Sequence, residues 1–181
     1  TDTGISVCDM GLQDHGGMGF IEETGAAQFC RDVRVTAIYE GTNGIQAMEL
    51  VGRKMMDGGD AAFRLMDEIE ACAEEARGAY PELAEAVWQA SETLRETTEW
   101  LASQDDMNSR FGGAVPYQRG FARVLGAWVH LRAALAGQGT PREKLARFYI
   151  TRLLPEHAGL LVQAREGTGD LYSLSADELA A

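Results

Sequence analysis

The stretch PELAEAVWQASETLRETTEWL, residues 81–101, decides the fold class. Leu83, Val87, Ala90, Leu94, Thr97 and Leu101 recur at intervals of three and four, so they share one stripe of a helix. Pro81 suits the first turn, where the N–H it lacks would be unpaired anyway. The same period continues outward. Leu65, Ile69, Cys72, Ala73, Ala76 and Tyr80 form a stripe before it, and Phe121, Val124, Leu125, Trp128, Leu131 and Leu135 form one after it. Thr140-Pro141-Arg142-Glu143 has the form of a capping box, opening a helix with Leu145, Phe148, Tyr149 and Leu153 on its face. Pro155 is expected to break or kink that helix, and Ser175-Ala176-Asp177-Glu178 reads as the cap of a last short turn. Turns at Asn108 to Pro116 and Gly137 to Thr140 set neighbouring helices antiparallel. The expected fold is all-α, a glycine-rich helical segment followed by an antiparallel helical bundle.

Composition narrows the functional classes. The 181 residues include 45% hydrophobic ones, and 28 acidic side chains against 16 basic ones leave a net charge of −12. A nucleic-acid binder or a protein held electrostatically on an anionic membrane needs a basic footprint, which this balance denies. The longest apolar stretch, Val124 to Gly137, is interrupted by His130 and Arg132 and falls short of the ~20 residues of a membrane span. Cys8, Cys30 and Cys72 are odd in number and widely spaced, which suits reduced thiols and a cytoplasmic location better than a disulfide framework. With His15, His130 and His157 equally dispersed, no metal-ligand spacing appears and no metal is expected.

Eleven of the 21 glycines fall within residues 1–59, and this shift sets the expected boundary between segments 1–59 and 60–181. Residues 60–104 carry a net −8 and residues 105–166 a net +4. The two signs either meet across the bundle or remain as separate solvated faces. Trp88, Trp100, Trp128 and the pair Met55-Met56 fall on helical faces and are expected in the core.

Two segments of the first part can carry chemistry. In Gln13-Asp14-His15-Gly16-Gly17-Met18-Gly19-Phe20 the glycines either stop a helix or let the backbone approach a phosphate or another chain closely. In Ile38-Tyr39-Glu40-Gly41-Thr42-Asn43-Gly44-Ile45-Gln46, Thr42 is a natural N-cap for a helix running from Asn43 to about Asp57. Glu40 is then a carboxylate just before a helix. It is either a solvated loop acid or, if Ile38, Tyr39, Ile45 and Met48 shield it, a stronger base opposed in part by the helix N-terminus.

These two segments, with Glu22-Glu23-Thr24 and Arg31-Asp32-Val33-Arg34 between them, closely resemble the end of the C-terminal helical domain of the acyl-CoA dehydrogenase family. The resemblance covers residues 1 to about 57 in order. The wording from Tyr39 through Gln46, continued by AMELVGRK, looks most like the larger members with an additional helical C-terminal domain, the methylmercaptopropionyl-CoA dehydrogenases among them. Residues 1–59 would be the last helices of the flavin-binding domain, and residues 60–181 the helical extension.

The resemblance implies an FAD enzyme that oxidises an acyl-CoA thioester to the trans-2-enoyl-CoA, passes its electrons to an electron-transfer flavoprotein and works as a homo-oligomer. Glu40 matches the family's catalytic base, whose backbone N–H also polarises the thioester carbonyl. Gln13, Gly16 and Gly17 match the segment that contacts the adenine-side half of FAD, and Thr42, Asn43 and Gly44 match positions after the base that touch FAD. Gly41 lies beside the substrate in that pattern. Arg53 resembles a substrate-side arginine but falls one residue late, Gly44 stands where many members have glutamine, and His15 occupies an often apolar position. The upstream domains that supply most flavin and CoA contacts have no counterpart here, so the chain alone is expected to be inactive. The alternative is a non-catalytic helical interaction or assembly module.

Overall fold

The computed structural model describes all 181 residues and contains helices but no strand. The chain divides into two compact units, Thr1–Gln46 and Ala47–Ala181.

The first unit holds α1 (Asp2–Asp14), the single turn α2 (Gly17–Phe20), a 3₁₀ turn (Glu22–Thr24), α3 (Ala26–Val35) and the start of α4 (Asn43–Val51). Helix α1 packs on α3. Neither carries a buried side chain, and Phe20 and Phe29 are 87% and 69% exposed. Thr42 caps α4 as expected, its Oγ1 accepting from the Ile45 N–H at 3.4 Å. Helix α4 ends at Val51, short of the expected Asp57. Gly52 leaves helical geometry at φ −92°, ψ −94°, and a 3₁₀ turn (Arg53–Met55) follows.

The second unit continues with α5 (Asp60–Ala76), α6 (Pro81–Ser103), α7 (Met107–Gly112), α8 (Ala114–Ala136), α9 (Pro141–Phe148), a π-helical turn (Tyr149–Leu153), α10 (Glu156–Arg165) and α11 (Ala176–Leu179). Helix α5 starts earlier than its apolar stripe because Asp57 caps it, accepting from the N–H groups of Gly59 and Ala61 at 2.9 and 3.2 Å. Those two bonds hold the Asp57 carboxyl below the usual carboxylate range. Helix α8 packs against α5, α6, α9 and α10. Its Gly120 is required by close approach, since a β-carbon there would lie 2.7 Å from Leu161 Cδ2 on α10.

The core confirms most of the periodic reading. Ile69, Cys72, Ala73, Ala76, Leu83, Val87, Ala90, Leu94, Thr97, Leu101, Phe121, Val124 and Leu131 are all buried. The three tryptophans are half-buried against that core, as is Leu125. Three expectations need correction. The segment Asn108 to Pro116 is not a plain turn, because Asp106 caps α7 through Asn108 and Ser109 N–H groups at 3.1 and 3.2 Å, and Pro116 falls in the first turn of α8. Leu145 and Phe148 point outward, 56% and 58% exposed, because the buried stripe is set by Ala146 and Ile150, four residues apart; Leu145 lies about 100° round the helix from it and Phe148 about opposite, and a π turn follows before Pro155. Met55 is buried, but Met56 is exposed.

Opposite charges meet less than their segregation suggested. The half-buried ion pair is Arg95 on α6 with Glu70 on α5 at 2.9 Å, inside the acidic segment, with Asp67 at 2.7 Å on the same guanidinium. Pairs between the acidic and basic segments lie at the rim, Arg147 with Glu82 at 3.5 Å and Arg165 with Glu96 at 3.9 Å, where exposure leaves each worth little. The Thr140 cap is a variant of its box. Thr140 Oγ1 accepts from the Arg142 N–H at 3.3 Å, whereas Glu143 accepts from the Gly139 N–H at 2.8 Å and the Tyr80 hydroxyl at 2.5 Å. Ser175 and Glu178 form the complete reciprocal box.

The buried polar contact of the bundle joins Thr98 on α6 to Tyr117 on α8, with the two hydroxyl oxygens 2.7 Å apart. Thr98 also donates to the Leu94 carbonyl at 2.7 Å, so the Tyr117 hydroxyl donates to Thr98. Replacing Thr98 by valine keeps the shape but leaves the Tyr117 hydroxyl unpaired, and denaturant unfolding is expected to show a loss of about 1–3 kcal/mol. Burial pushes the Tyr117 phenol up. An acid with a raised folded-state pKa keeps its proton in the folded state when the unfolded chain has already lost it. Stability is therefore intact below about pH 10 and falls as pH rises above that value. Tyr117→Phe is expected to flatten this alkaline slope in unfolding curves measured from pH 8 to 11.

Candidate active-site segments

Within the first unit the expected site residues occupy two places. Gln13 is exposed near the end of α1, and the chain turns at Gly16 with φ 59° and ψ −142°, a conformation available to glycine, before Gly17 opens α2. A β-carbon at Gly16 or Gly17 would meet nothing within 4 Å, so both present bare backbone to the outside. His15 folds back on α1, its Nδ1 lying 2.8 Å from the Gly11 carbonyl oxygen.

The second place is the loop from α3 to α4. Glu40 has φ 53°, the one positive value at a residue other than glycine, and Gly41 follows with φ 83°. A left-handed backbone costs an ordinary L-residue about 1–2 kcal/mol, so the surrounding contacts must hold it there. Gln46 supplies one, donating from Nε2 to the Glu40 carbonyl at 3.3 Å. A β-carbon at Gly41 would crowd that amide at 3.1 Å. Glu40 is exposed, and so are Ile38, Tyr39 and Ile45, so within this unit the apolar neighbours do not shield the carboxylate. No protein group accepts the Glu40 main-chain N–H.

The residues after Glu40 have structural duties as well. The Asn43 amide donates to Asp2 Oδ1 at 2.5 Å, and its carbonyl oxygen accepts from the Thr1 hydroxyl at 2.8 Å. The Glu40 loop is thus fastened to the N-terminal end of α1, while Gln13, Gly16 and Gly17 lie at the other end, about 17 Å away for eleven residues at 1.5 Å each. Gly44 sits in the first turn of α4, where a β-carbon would lie 3.7 Å from Thr42 Oγ1, an ordinary contact, so packing does not demand glycine. Arg53 lies in the second unit, on the 3₁₀ turn, and pairs with Glu49 one turn back on α4. Gln46, Asp2 and Thr1 were not singled out by the sequence. Their roles follow from the fold, and no spacing signals them.

Comparison with known proteins bears on both parts of the chain. Residues 1–56 match the family described as acyl-CoA dehydrogenase, C-terminal domain, and residues 65–175, more than half of the chain, match the family described as acetyl-CoA dehydrogenase C-terminal like. The 3-methylmercaptopropionyl-CoA dehydrogenase of Ruegeria pomeroyi is 38% identical over 76% of this chain and 24% of its own length. The broad-specificity linear acyl-CoA dehydrogenase FadE5 of Mycobacterium tuberculosis is 27% identical over 86% of this chain and 29% of its own length. The caffeyl-CoA reductase-Etf complex subunit CarC of Acetobacterium woodii is 44% identical over 25% of this chain and 12% of its own length. The chain spans about a quarter of the first two relatives. Its order of helices, its glycine turn and its glutamate loop sit within the first family match, and its bundle within the second: the chain belongs to the acyl-CoA dehydrogenase family.

Proposed function

We propose that this chain is the C-terminal part of an FAD-dependent acyl-CoA dehydrogenase in which Glu40 is the base. The observation that carries the reading is the Glu40 backbone. A non-glycine residue held at positive φ in an otherwise helical chain marks a position where geometry outweighs local comfort, and such positions cluster at functional sites. Both of its working groups are free of partners in the protein: the carboxylate is exposed, and the main-chain N–H is unclaimed.

The reaction asks for few groups. Glu40 removes the α-proton of the acyl-CoA thioester, and the β-hydrogen departs with its electron pair, leaving a trans-2-enoyl product. Bound FAD supplies the acceptor for that hydride. The Glu40 N–H donates to the thioester carbonyl oxygen, where fixed dipoles stabilise the charge that develops as the proton leaves. Gly41 is placed beside the substrate on resemblance; within this chain its missing side chain makes room for the Gln46 amide. The exposed apolar groups Ile38, Tyr39 and Ile45 gain a purpose in a closed site, where excluding water makes a carboxylate basic.

The residues fit a dinucleotide at the other segment. Gly16 and Gly17 offer open backbone, and Gln13 offers an exposed amide beside them. Thr42, Asn43 and Gly44 would meet the cofactor near the base, with Asn43 doing so while also tying the loop to α1. We assign Arg53 to the substrate on resemblance alone. We further propose that residues 1–59 complete the flavin-binding domain, that residues 60–181 are a helical extension, and that the full-length protein is a homo-oligomer delivering electrons to an electron-transfer flavoprotein. Apolar surface such as that of Phe20 and Phe29 supports the first of these, and the CarC relative, by name a subunit of an Etf complex, supports the last.

Glu40→Gln in the full-length protein is expected to retain flavin, seen as an unchanged visible absorbance band, while exchange of the thioester α-proton with solvent falls by about 10²–10⁴-fold. Exchange at the original rate would move the base elsewhere. The isolated 181-residue chain is expected to stay colourless after incubation with FAD and dialysis, and a stoichiometric yellow complex would contradict the division of the site between this chain and upstream segments.

A further inference from the structure

Cys8 and Cys30 are 22 residues apart in the chain and adjacent in space. Helices α1 and α3 run antiparallel, and their register is fixed near one end by Gly4, where a β-carbon would lie 3.0 Å from Val33 Cγ2. Moving four residues along α1 from Gly4 and three back along α3 from Val33 brings Cys8 opposite Cys30, on the faces the helices turn toward each other. Gly4, with no side chain, lets α1 approach α3 closely at that point. The two thiols are near enough that Cys8 acts on the ionisation of Cys30. Both cysteines are half-buried, so a small reagent reaches them, whereas Cys72 is buried in the second unit.

We propose that Cys8 and Cys30 are a dithiol modification site, which a small-molecule disulfide oxidises to an intramolecular bridge between α1 and α3. A disulfide asks for Cα atoms about 4.4–6.8 Å apart, and the close approach of α1 and α3 at Gly4 and Val33 is what brings the two cysteines toward that range. One cysteine thiolate attacks the small disulfide RSSR, forming a protein–S–S–R bond and expelling RS⁻. The second cysteine, once deprotonated, attacks the protein sulfur of that bond, closes the Cys8–Cys30 bridge and expels the second RS⁻. The two protons given up by the cysteines end on the two RSH products. The cysteine pair is oxidised by two electrons, and RSSR is reduced by two. Desolvation first, then the neighbouring Cys8 and Asp9, push the Cys30 thiol up, which favours its protonated form before an oxidant arrives. The inference does not depend on the role of Glu40.

The test is disulfide mapping of the full-length protein. Reduced protein, freed of reductant, is incubated with oxidised glutathione, alkylated and digested without reductant. The expected result is a Cys8–Cys30 linked peptide in at least tenfold excess over any pairing with Cys72, reversed by dithiothreitol. Cys8→Ser should yield no such link and instead leave Cys30 free or glutathionylated. Recovery of Cys8 and Cys30 as separate free or separately glutathionylated peptides, in protein that keeps its helical circular dichroism through both oxidised glutathione and diamide, would overturn the proposal.

Discussion

An L-residue resists positive φ, and the loop between α3 and α4 is built to hold Glu40 there. Gln46 holds its carbonyl, Gly41 continues the left-handed turn with no side chain to obstruct that amide, and Thr42 starts the next helix. Asn43 then fastens the loop to the first turn of α1 through Asp2 and Thr1. Each contact is small by itself. Together they leave one carboxylate exposed and one amide N–H without a partner in the protein, an arrangement that fits the role proposed for Glu40.

The two units differ in what sustains them. The second buries leucines, isoleucines, valines, methionines and alanines, chiefly on α5, α6, α8, α9, the π turn and α10, and its half-buried ion pair and Thr98–Tyr117 contact are satisfied within it. The first has no buried side chain on α1 or α3 and leaves Val7, Met10, Phe20, Phe29 and Val35 more than half exposed. Burying a side chain of this size is worth about 1.5–3 kcal/mol, so the first unit gains little from the hydrophobic effect within its own 46 residues. This contrast agrees with the proposed roles, a self-supporting extension joined to the end of a flavin-binding domain.

Much of this was legible in the sequence. Residues 81–101 gave their helix and its buried stripe through period alone, and the Tyr39-Glu40-Gly41-Thr42 wording with its upstream glycine turn led to the family. What escaped depends on geometry that spacing does not encode. The inward face of α9 is set by Ala146 and Ile150, four residues apart, and the small alanine gave no apolar signal to mark it, so Leu145 and Phe148 were misplaced. Gly52 ended α4 early because a glycine inside a helical pattern does not announce whether it breaks. Cys8 and Cys30 looked dispersed because their separation along the chain hides the antiparallel register of α1 and α3. The left-handed turn at Glu40 was unreadable because nothing about a glutamate suggests it.

The account stands on Glu40 meeting the α-carbon of a thioester in a closed site. The most direct measurement is a crystal structure of the full-length protein with FAD and a non-reactive acyl-CoA analogue. The account predicts a Glu40 carboxylate oxygen within about 3–3.5 Å of the α-carbon, with the Glu40 N–H donating to the thioester carbonyl. A Glu40 carboxylate turned to solvent, with another basic side chain against the α-carbon, would contradict it.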